Sequence, residues 1–266
     1  MTVTMAGDPE PTAATDFAPV PPTGVPRRKT FLMHIPKNAG HSLASSIGWS
    51  YPRERKLLAI GRGEQDGSVS VSDLLEMPYG QFARDFDFSY AHLTYDQLCK
   101  WSDGRLFQDF AVITLIRDPL ERALSTYAYI LERPQHEAYD MVRGIGSLRA
   151  FLTTPDFHPQ ANRAQCEWIC GSTSFADATK VLPHFFAFPT VEYIPTFMRE
   201  FHKGIGGELD VGNWINTSNS PALIHDLDGT MAAAFYETQI DDLQLYLWAK
   251  RNWLPHMLAG MQSPSS

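Results

Sequence analysis

The stretch KTFLMHIPKNAGHSLASSIGW at residues 29–49 decides the fold, because a single run contains a buried strand, a loop of phosphate size and the start of a helix. Phe31, Leu32, Met33 and Ile35 make a short apolar run ended by Pro36, which predicts an interior strand of a parallel sheet. The loop reads Pro36-Lys37-Asn38-Ala39-Gly40, and a helical pattern follows from Ser42 through Leu43, Ile47 and Trp49. The first backbone N–H groups of a helix have no intrahelical partner and carry the positive end of its dipole, so such a junction binds anions. Gly40 permits close backbone approach, Lys37 adds a full charge, and the Ser42 hydroxyl can cap the helix or donate to a ligand. The order of residues is not that of the nucleoside-triphosphatase loop, which needs Gly, four residues, Gly, Lys and Ser or Thr; here Lys37 comes first and the leading Gly is absent. A helix that is merely well capped carries the same letters.

A second unit of the same design lies downstream. Residues 110–116, FAVITLI, are a continuous β-branched apolar run suited to the sheet centre. They enter Arg117-Asp118-Pro119, with Pro119 fit for a first helical turn, and a helix to about Glu132. Arg117 falls at the carboxyl end of that strand and Ser125 inside the helix; a guanidinium fork with a hydroxyl partner suits a phosphate monoester. The plainer alternatives are that Arg117 pairs with Asp118 or Glu121 and that Ser125 is an ordinary helix residue.

Between the two units, residues 56–60 predict a second strand and residues 64–73 a surface loop, with Ser72 or Asp73 capping a short helix over Leu74 and Leu75. FDFSYAHL at residues 86–93 alternates Phe86, Phe88 and Tyr90 and reaches His92, after which Thr94 caps a helix through Tyr95, Leu98 and Trp101. His92 is therefore expected at a strand end, where open α/β sheets form their ligand crevices. Residues 133–146 show no periodicity; residues 147–152 and 160–169 predict short helices, the latter closed by Gly171. A late strand is expected at residues 184–188, a helix capped by Thr190 through Glu192, Ile194, Phe197 and Phe201, a break at Gly204, Gly206 and Gly207, and one long amphipathic helix over residues 230–253.

With 266 residues and 44% hydrophobic content the chain can bury one sizeable core. A formal charge of −8 argues against a nucleic-acid surface, so an anionic ligand must be held by a local cluster of cations and helix starts. Cys99, Cys166 and Cys170 give no disulfide framework and fit a reducing compartment. Cys166 and Cys170 have a spacing that can place two metal ligands on one helix face, but with no second ligand pair nearby they read as small buried residues. There is no apolar run of membrane length and no secretory-type start, so a cytoplasmic location is expected. Residues 1–28 are rich in Pro and Ala with Phe17 as their only aromatic, a composition expected to stay disordered, leaving residues 29–266 as a single domain.

Taken together, HIPKNAGHSL at residues 34–43 and ITLIRDPLERALSTYAY at residues 113–129 resemble the sulfotransferases that use 3'-phosphoadenosine 5'-phosphosulfate (PAPS), in the branch that includes heparan sulfate 2-O-sulfotransferase and many bacterial enzymes. The resemblance implies a P-loop-like three-layer α/β sandwich with a central, mainly parallel sheet flanked by helices. It implies PAPS as cofactor, 3'-phosphoadenosine 5'-phosphate (PAP) as product, and no metal. By position, Lys37, Asn38, Ala39, Gly40, His41 and Ser42 would form the 5' loop, and Arg117 and Ser125 would hold the 3'-phosphate. YAHLTY at residues 90–95 is similar to the segment that carries the catalytic His, which makes His92 the general base and Lys37 the group that neutralises the oxygen between phosphate and sulfur. QCEWICG at residues 165–171, Glu192, Asn216 with Ser218, and residues 241–246 with Ala249 match further family blocks.

The chain departs from the pattern at His41, where Thr is more common, at Glu167, where Arg is usual, and at Tyr90, near which relatives can carry a second His. The implied acceptor is a hydroxyl-bearing small molecule or lightly charged glycan, since residues 61–80 and 133–165 contain no Lys/Arg-rich track. Glu137 and Asp109 are the alternative bases, while His34, His136, His158 and His184 read as ordinary histidines. Two other classes stay open: a P-loop kinase or nucleotidase, and a nucleotide-binding protein without catalysis, which the loss of charge at Glu167 favours.

Overall fold

The structure, a computed structural model, describes residues 28–59, 68–153, 164–205 and 227–262. Nearly all of the 1–28 tail lies outside these residues, as do Ile60, residues 61–63, Gly206, Gly207, Asn216 and Ser218. Four strands form the sheet: β1 Thr30–Met33, β2 Lys56–Ala59, β3 Phe88–Ala91 and β4 Ala111–Thr114. Their order is β2-β3-β1-β4, and every pairing is parallel. Met33 stands opposite both Ala91 and Thr114, and Ala59 opposite Ala91, so the carboxyl ends finish level. All residues of β1, β3 and β4 are buried, as in strands covered on both faces, whereas β2 alternates like an edge.

Helices flank the sheet, giving the α/β, P-loop-like class expected. They are α1 Gly40–Gly48, α2 Val71–Glu76, α3 Tyr79–Asp85, α4 Tyr95–Ser102, α5 Leu106–Asp109, α6 Pro119–Leu131, α7 Tyr139–Ile145 and α8 Leu148–Thr153. After them come α9 Gln165–Cys170, α10 Phe175–Val181, α11 Ile194–Ile205, α12 Gly229–Thr238 and α13 Ile240–Gln262. The main core joins the sheet to α1, α4, α9, α11 and α13. A second cluster, including Leu124, Ile130, Val142, Phe151, Met231 and Phe235, packs α6 against α7, α8 and α12.

Several local expectations change. Ser70, not Ser72 or Asp73, caps α2, because the Ser70 hydroxyl accepts from Asp73 N–H while the Asp73 carboxylate reaches back to Ser70 N–H. β4 is the outer strand rather than the centre, but its far side is taken by residues 186–191: Phe186 N–H donates to Val112 O at 2.8 Å and Thr114 N–H to Ala187 O at 3.1 Å. The late strand is thus an extended segment with isolated bridges at Ala187 and Thr190, and Pro189, lacking an N–H, interrupts any longer ladder. Thr190 makes no side-chain cap; a 3-10 turn at Val191–Tyr193 leads into α11. Residues 133–146, read as aperiodic, contain α7, whose only buried member is Val142, too little burial to leave a pattern.

The long C-terminal helix is two helices broken at Gln239. The break lets Asp241 and Asp242 stand in the first turn of α13, where Asp241 accepts from Phe175 N–H at 2.8 Å and Asp242 from Gln165 N–H at 2.7 Å and Cys166 N–H at 3.0 Å. Two carboxylates thereby cap the starts of α9 and α10 across the fold.

Candidate functional site

The level strand ends bring three segments to one edge: residues 34–40 after β1, His92 after β3 and Arg117 after β4. His34 N–H extends the ladder to Ala91 O at 2.9 Å, which sets His34 beside His92. The crevice at the carboxyl ends of a parallel sheet is where this class of fold places ligands.

The loop after β1 is held in an unusual path. Lys37 and Ala39 have φ of 67° and 57°, left-handed conformations that cost an L-residue roughly 1–2 kcal/mol each. Cross-links from the second unit hold it there. Arg117 Nη1 donates to Lys37 O at 3.0 Å, Arg122 Nε to Pro36 O at 3.2 Å, and Asn38 Nδ2 to Leu115 O at 2.6 Å. Asn38 Nδ2 also lies 2.7 Å from Gln165 Oε1, and the Asn38 N–H closes a turn onto Ile35 O. Asn38 therefore shapes the loop with its side chain and spends its own amide locally. Gln165 completes the tie by accepting from Arg117 N–H at 2.9 Å and donating through Nε2 to Arg117 O at 2.8 Å.

The loop delivers a helix start whose own N-cap residue gives no side-chain cap. Ala39 is the N-cap of α1 and provides no side-chain bond, and the first turn contains no acidic residue. Ser42, expected as a possible cap, is instead the third residue of the helix and is buried, since the left-handed turn at Ala39 starts α1 at Gly40. At Gly40 a Cβ would overlap the His34 ring, so only glycine lets the loop close over that imidazole. His41 turns its ring toward Tyr90, with centroids 6.4 Å apart.

On the second unit Asp118 caps α6, its Oδ1 accepting from Leu120 N–H at 2.9 Å and Glu121 N–H at 3.1 Å, and Tyr236 donates its hydroxyl to the same carboxylate. Arg117 Nε lies 3.5 Å from Glu121 Oε2, so the pairing weighed from sequence exists alongside the bond to Lys37 O. Burial pulls the Arg117 guanidinium below its ordinary pKa, and Glu121 opposes that shift. Ser125 and Arg122 are both buried on α6, three residues apart and so on one side of the helix.

Beside the loop sits a cluster of rings. His34 Nδ1 is 2.6 Å from His92 Nε2 and 2.7 Å from the Tyr90 hydroxyl. The His34 ring stacks on Tyr90 at 5.0 Å and lies 4.6 Å from the His92 ring. Burial, then electrostatic repulsion from His92, His41, Lys37 and Arg122, holds the His34 imidazole well below its ordinary value, so it is neutral. Lys37 Nζ rests 3.5 Å from the centre of the Tyr129 ring, and the Arg133 guanidinium lies 3.7 Å from the same ring.

Sequence reading missed His34, Arg122 and Tyr129. His34 is the first residue past β1 and shares its strand-end position with His92; Arg122 lies a little over one turn beyond Arg117, on the buried side of α6. Those were the available signals. Asp109, an alternative base, is corrected: it precedes the amino end of β4, at the far edge from His92, and accepts from Tyr79. Glu137 is exposed on the turn before α7. Glu192 accepts from Tyr246 at 2.6 Å and pairs with Lys250 at 3.0 Å, tying the α11 entry to α13. Cys170 Sγ donates back to Cys166 O, and among the described residues no group of three His, Cys, Asp or Glu gathers as a metal site. Among them, too, no helix is long and apolar enough to cross a membrane.

No family model matches the chain, and no curated protein matches it at a significant level. Among solved structures it is similar to mouse sulfotransferase SULT7A1 complexed with PAP, at 16% identity and a TM-score of 0.36, over 80% of this chain; it covers 64% of that chain. That likeness is partial, and the chemistry assigned to this protein rests on its own residues.

Proposed function

We propose that this chain is a PAPS-dependent sulfotransferase that moves a sulfuryl group to an acceptor hydroxyl. The observation that carries the reading is the bond from Arg117 Nη1 to Lys37 O, which joins an uncapped helix start to a second cationic centre. A ligand with phosphates at both ends of a ribose needs two such anion seats in contact. The residues fit it: Gly40 leaves room for close approach, Lys37 faces the loop's ring cluster, and Arg117, Arg122 and Ser125 line the second unit.

When bound, PAPS supplies the sulfuryl group and PAP as its leaving group. N–H groups at the start of α1 would hold the 5'-phosphate, with His41 and Ser42 in the first turn. Lys37 would neutralise the oxygen that takes up charge as the bond to sulfur breaks. Arg117 and Ser125 would select for the 3'-phosphate, and His92 would take the proton of the attacking hydroxyl, a role worth about a hundredfold to ten-thousandfold. The acceptor we assign is a hydroxyl-bearing small molecule or lightly charged glycan.

Calorimetric titration with PAP and with ATP tests the cofactor, and sulfate transfer from PAPS to a panel of hydroxyl acceptors tests the reaction. We expect PAP to bind more tightly than ATP, and His92→Ala to lose transfer while keeping PAP affinity. A preference for ATP would move the chain to the kinases. PAP binding with no transfer to any acceptor would leave a nucleotide-binding protein.

A further inference from the structure

We propose that His34 is a positioning residue for His92: His34 Nδ1 accepts a hydrogen bond from His92 Nε2–H and thereby keeps the lone pair of His92 at Nδ1, the nitrogen that takes the acceptor's proton. The base role, and with it the choice of tautomer, rests on the sulfotransferase reading; the contact between the two rings does not.

The His34 ring is fixed from several directions. Its backbone N–H is bound to Ala91 O, its ring stacks on Tyr90, and the missing Cβ of Gly40 makes room for it. It is 4% exposed and cannot swing to solvent. His92 Nε2 lies 2.6 Å from Nδ1, so the partner imidazole is aimed by a ring that does not move.

The direction of the bond follows from proton counting. A neutral imidazole has one N–H, and the nitrogen that bears it is set by the partner of the other. The Tyr90 hydroxyl, 2.7 Å from the same Nδ1, can donate as well as accept; with the lone pair at Nδ1 it donates there beside His92 Nε2–H in a shared bond. A proton on Nδ1 would instead occupy the lone pair of His92 Nε2, place the His92 proton on Nδ1 and leave His92 no nitrogen to act as base. The single proton of His34 then sits on Nε2. That atom has no hydrogen-bond partner among the described residues and lies against Gly40, where an oxyanion at the start of α1 would accept it.

During transfer the acceptor oxygen would bond to sulfur as the sulfur–oxygen bond to PAP breaks and PAP leaves with that electron pair, and the acceptor's proton would pass to His92 Nδ1. His92 becomes an imidazolium with both nitrogens protonated, and its bond to His34 becomes charge-assisted and stronger. The proton leaves to water at turnover. The groups facing His34 are Tyr90 and His92 from β3 and its end, His41 from α1, Lys37 from the loop and Arg122 from α6. With the ring buried and these neighbours opposing a second proton, His34 stays neutral.

The test is long-range proton–nitrogen NMR of the full chain with labelled histidines, assigned with His34→Phe and His92→Ala. We expect His92 near pH 7.5 as the Nε2–H tautomer with an unprotonated Nδ1, a mixture of tautomers in His34→Phe, and the wild-type tautomer in His34→Gln, whose carbonyl can accept the same bond. In turnover, His34→Phe should lower kcat about tenfold to hundredfold and move the acid limb of the pH profile down, with PAP affinity within about twofold, and His34→Gln should recover much of kcat. A wild-type His92 protonated at Nδ1, or a tautomer unchanged in His34→Phe, overturns the proposal. Both spectra are read without substrate, so a wild type that fails to bind PAP counts against the sulfotransferase reading and not against this one. If His34→Phe does not fold, the wild-type spectrum and the Gln variant decide.

Discussion

The turns after β1 and β4 occupy neighbouring positions on one sheet edge and lead into helices of similar role, yet they treat those helix starts in opposite ways. The turn into α6 is self-sufficient: Asp118 satisfies two N–H groups, Pro119 removes a third donor, and Tyr236 fixes the carboxylate. The turn into α1 has Ala39 in a left-handed conformation where a capping side chain would stand, and no acid in the first turn. An anion at α6 would compete with a carboxylate already seated there; an anion at α1 would meet the positive end of the dipole with no acidic residue in the first turn. The two units are therefore not two copies of one phosphate loop. In the second unit the side chains of Arg117 and Arg122 reach across to the carbonyls of the first loop.

The comparison breaks most visibly at the cations. Arg117→Ala should weaken PAP binding by about 1.5–3 kcal/mol and leave a 5'-nucleotide without a 3'-phosphate nearly unaffected, whereas Lys37→Ala should weaken both ligands; paired titrations read the difference. Equal losses for both ligands in Arg117→Ala would mean that its tie to Lys37 O matters only for shape. Next is Gly40→Ala, whose methyl meets the His34 ring and should destabilise the fold by about 1–3 kcal/mol in urea unfolding. Gly80→Ala in α3, with nothing within 4 Å, should instead stabilise by about 0.5–1 kcal/mol.

Asp118→Ala should cost about 0.5–2 kcal/mol of stability through loss of the cap, with PAP affinity unchanged if the proposed seat at the start of α1 holds the 5'-phosphate. The smallest effect concerns pH. With the folded His34 held below its ordinary value, the unfolded chain binds the extra proton first as pH falls. Stability is then complete above the unfolded value of about 6.5 and declines below it, by at most about 1.4 kcal/mol per pH unit. Urea midpoints at pH 7.5 and 5.5 should converge more closely in His34→Phe than in the wild type.

Much of the sheet edge was legible because strand ends and caps are local events. The apolar run at 31–35, the Thr94 cap with Gln97, and Pro119 behind Asp118 all act over a few residues, and the structure places them as expected. The same locality explains the misses. Ser72 and Asp73 looked able to cap α2, and only the reciprocal bond between Ser70 and Asp73 showed that the cap stands earlier, at Ser70. The helical pattern over 230–253 is continuous in hydrophobicity, but the chain breaks at Gln239 so that Asp241 and Asp242 can cap helices 66 to 77 residues away. His34 looked like any histidine after a strand until parallel pairing set Met33 opposite Ala91 and so put it beside His92.

The sequence by itself determined an α/β chain with strand, loop and helix in each of two units, while the family resemblance gave Lys37, Asn38, Ala39, Gly40, His41, Ser42, Arg117 and Ser125 as expected cofactor contacts and His92 as the expected base. The two units follow from backbone propensity and hydrophobic pattern, which are properties of neighbours along the chain. Only the tertiary structure decided that α1 and not α6 has an uncapped start, that Arg117 and Arg122 hold the first loop by its carbonyls, and that an imidazole stands behind His92. Those depend on strand order and register, which bring residues 58 to 86 positions apart within hydrogen-bond distance, and no local pattern encodes which partner a buried polar group will meet.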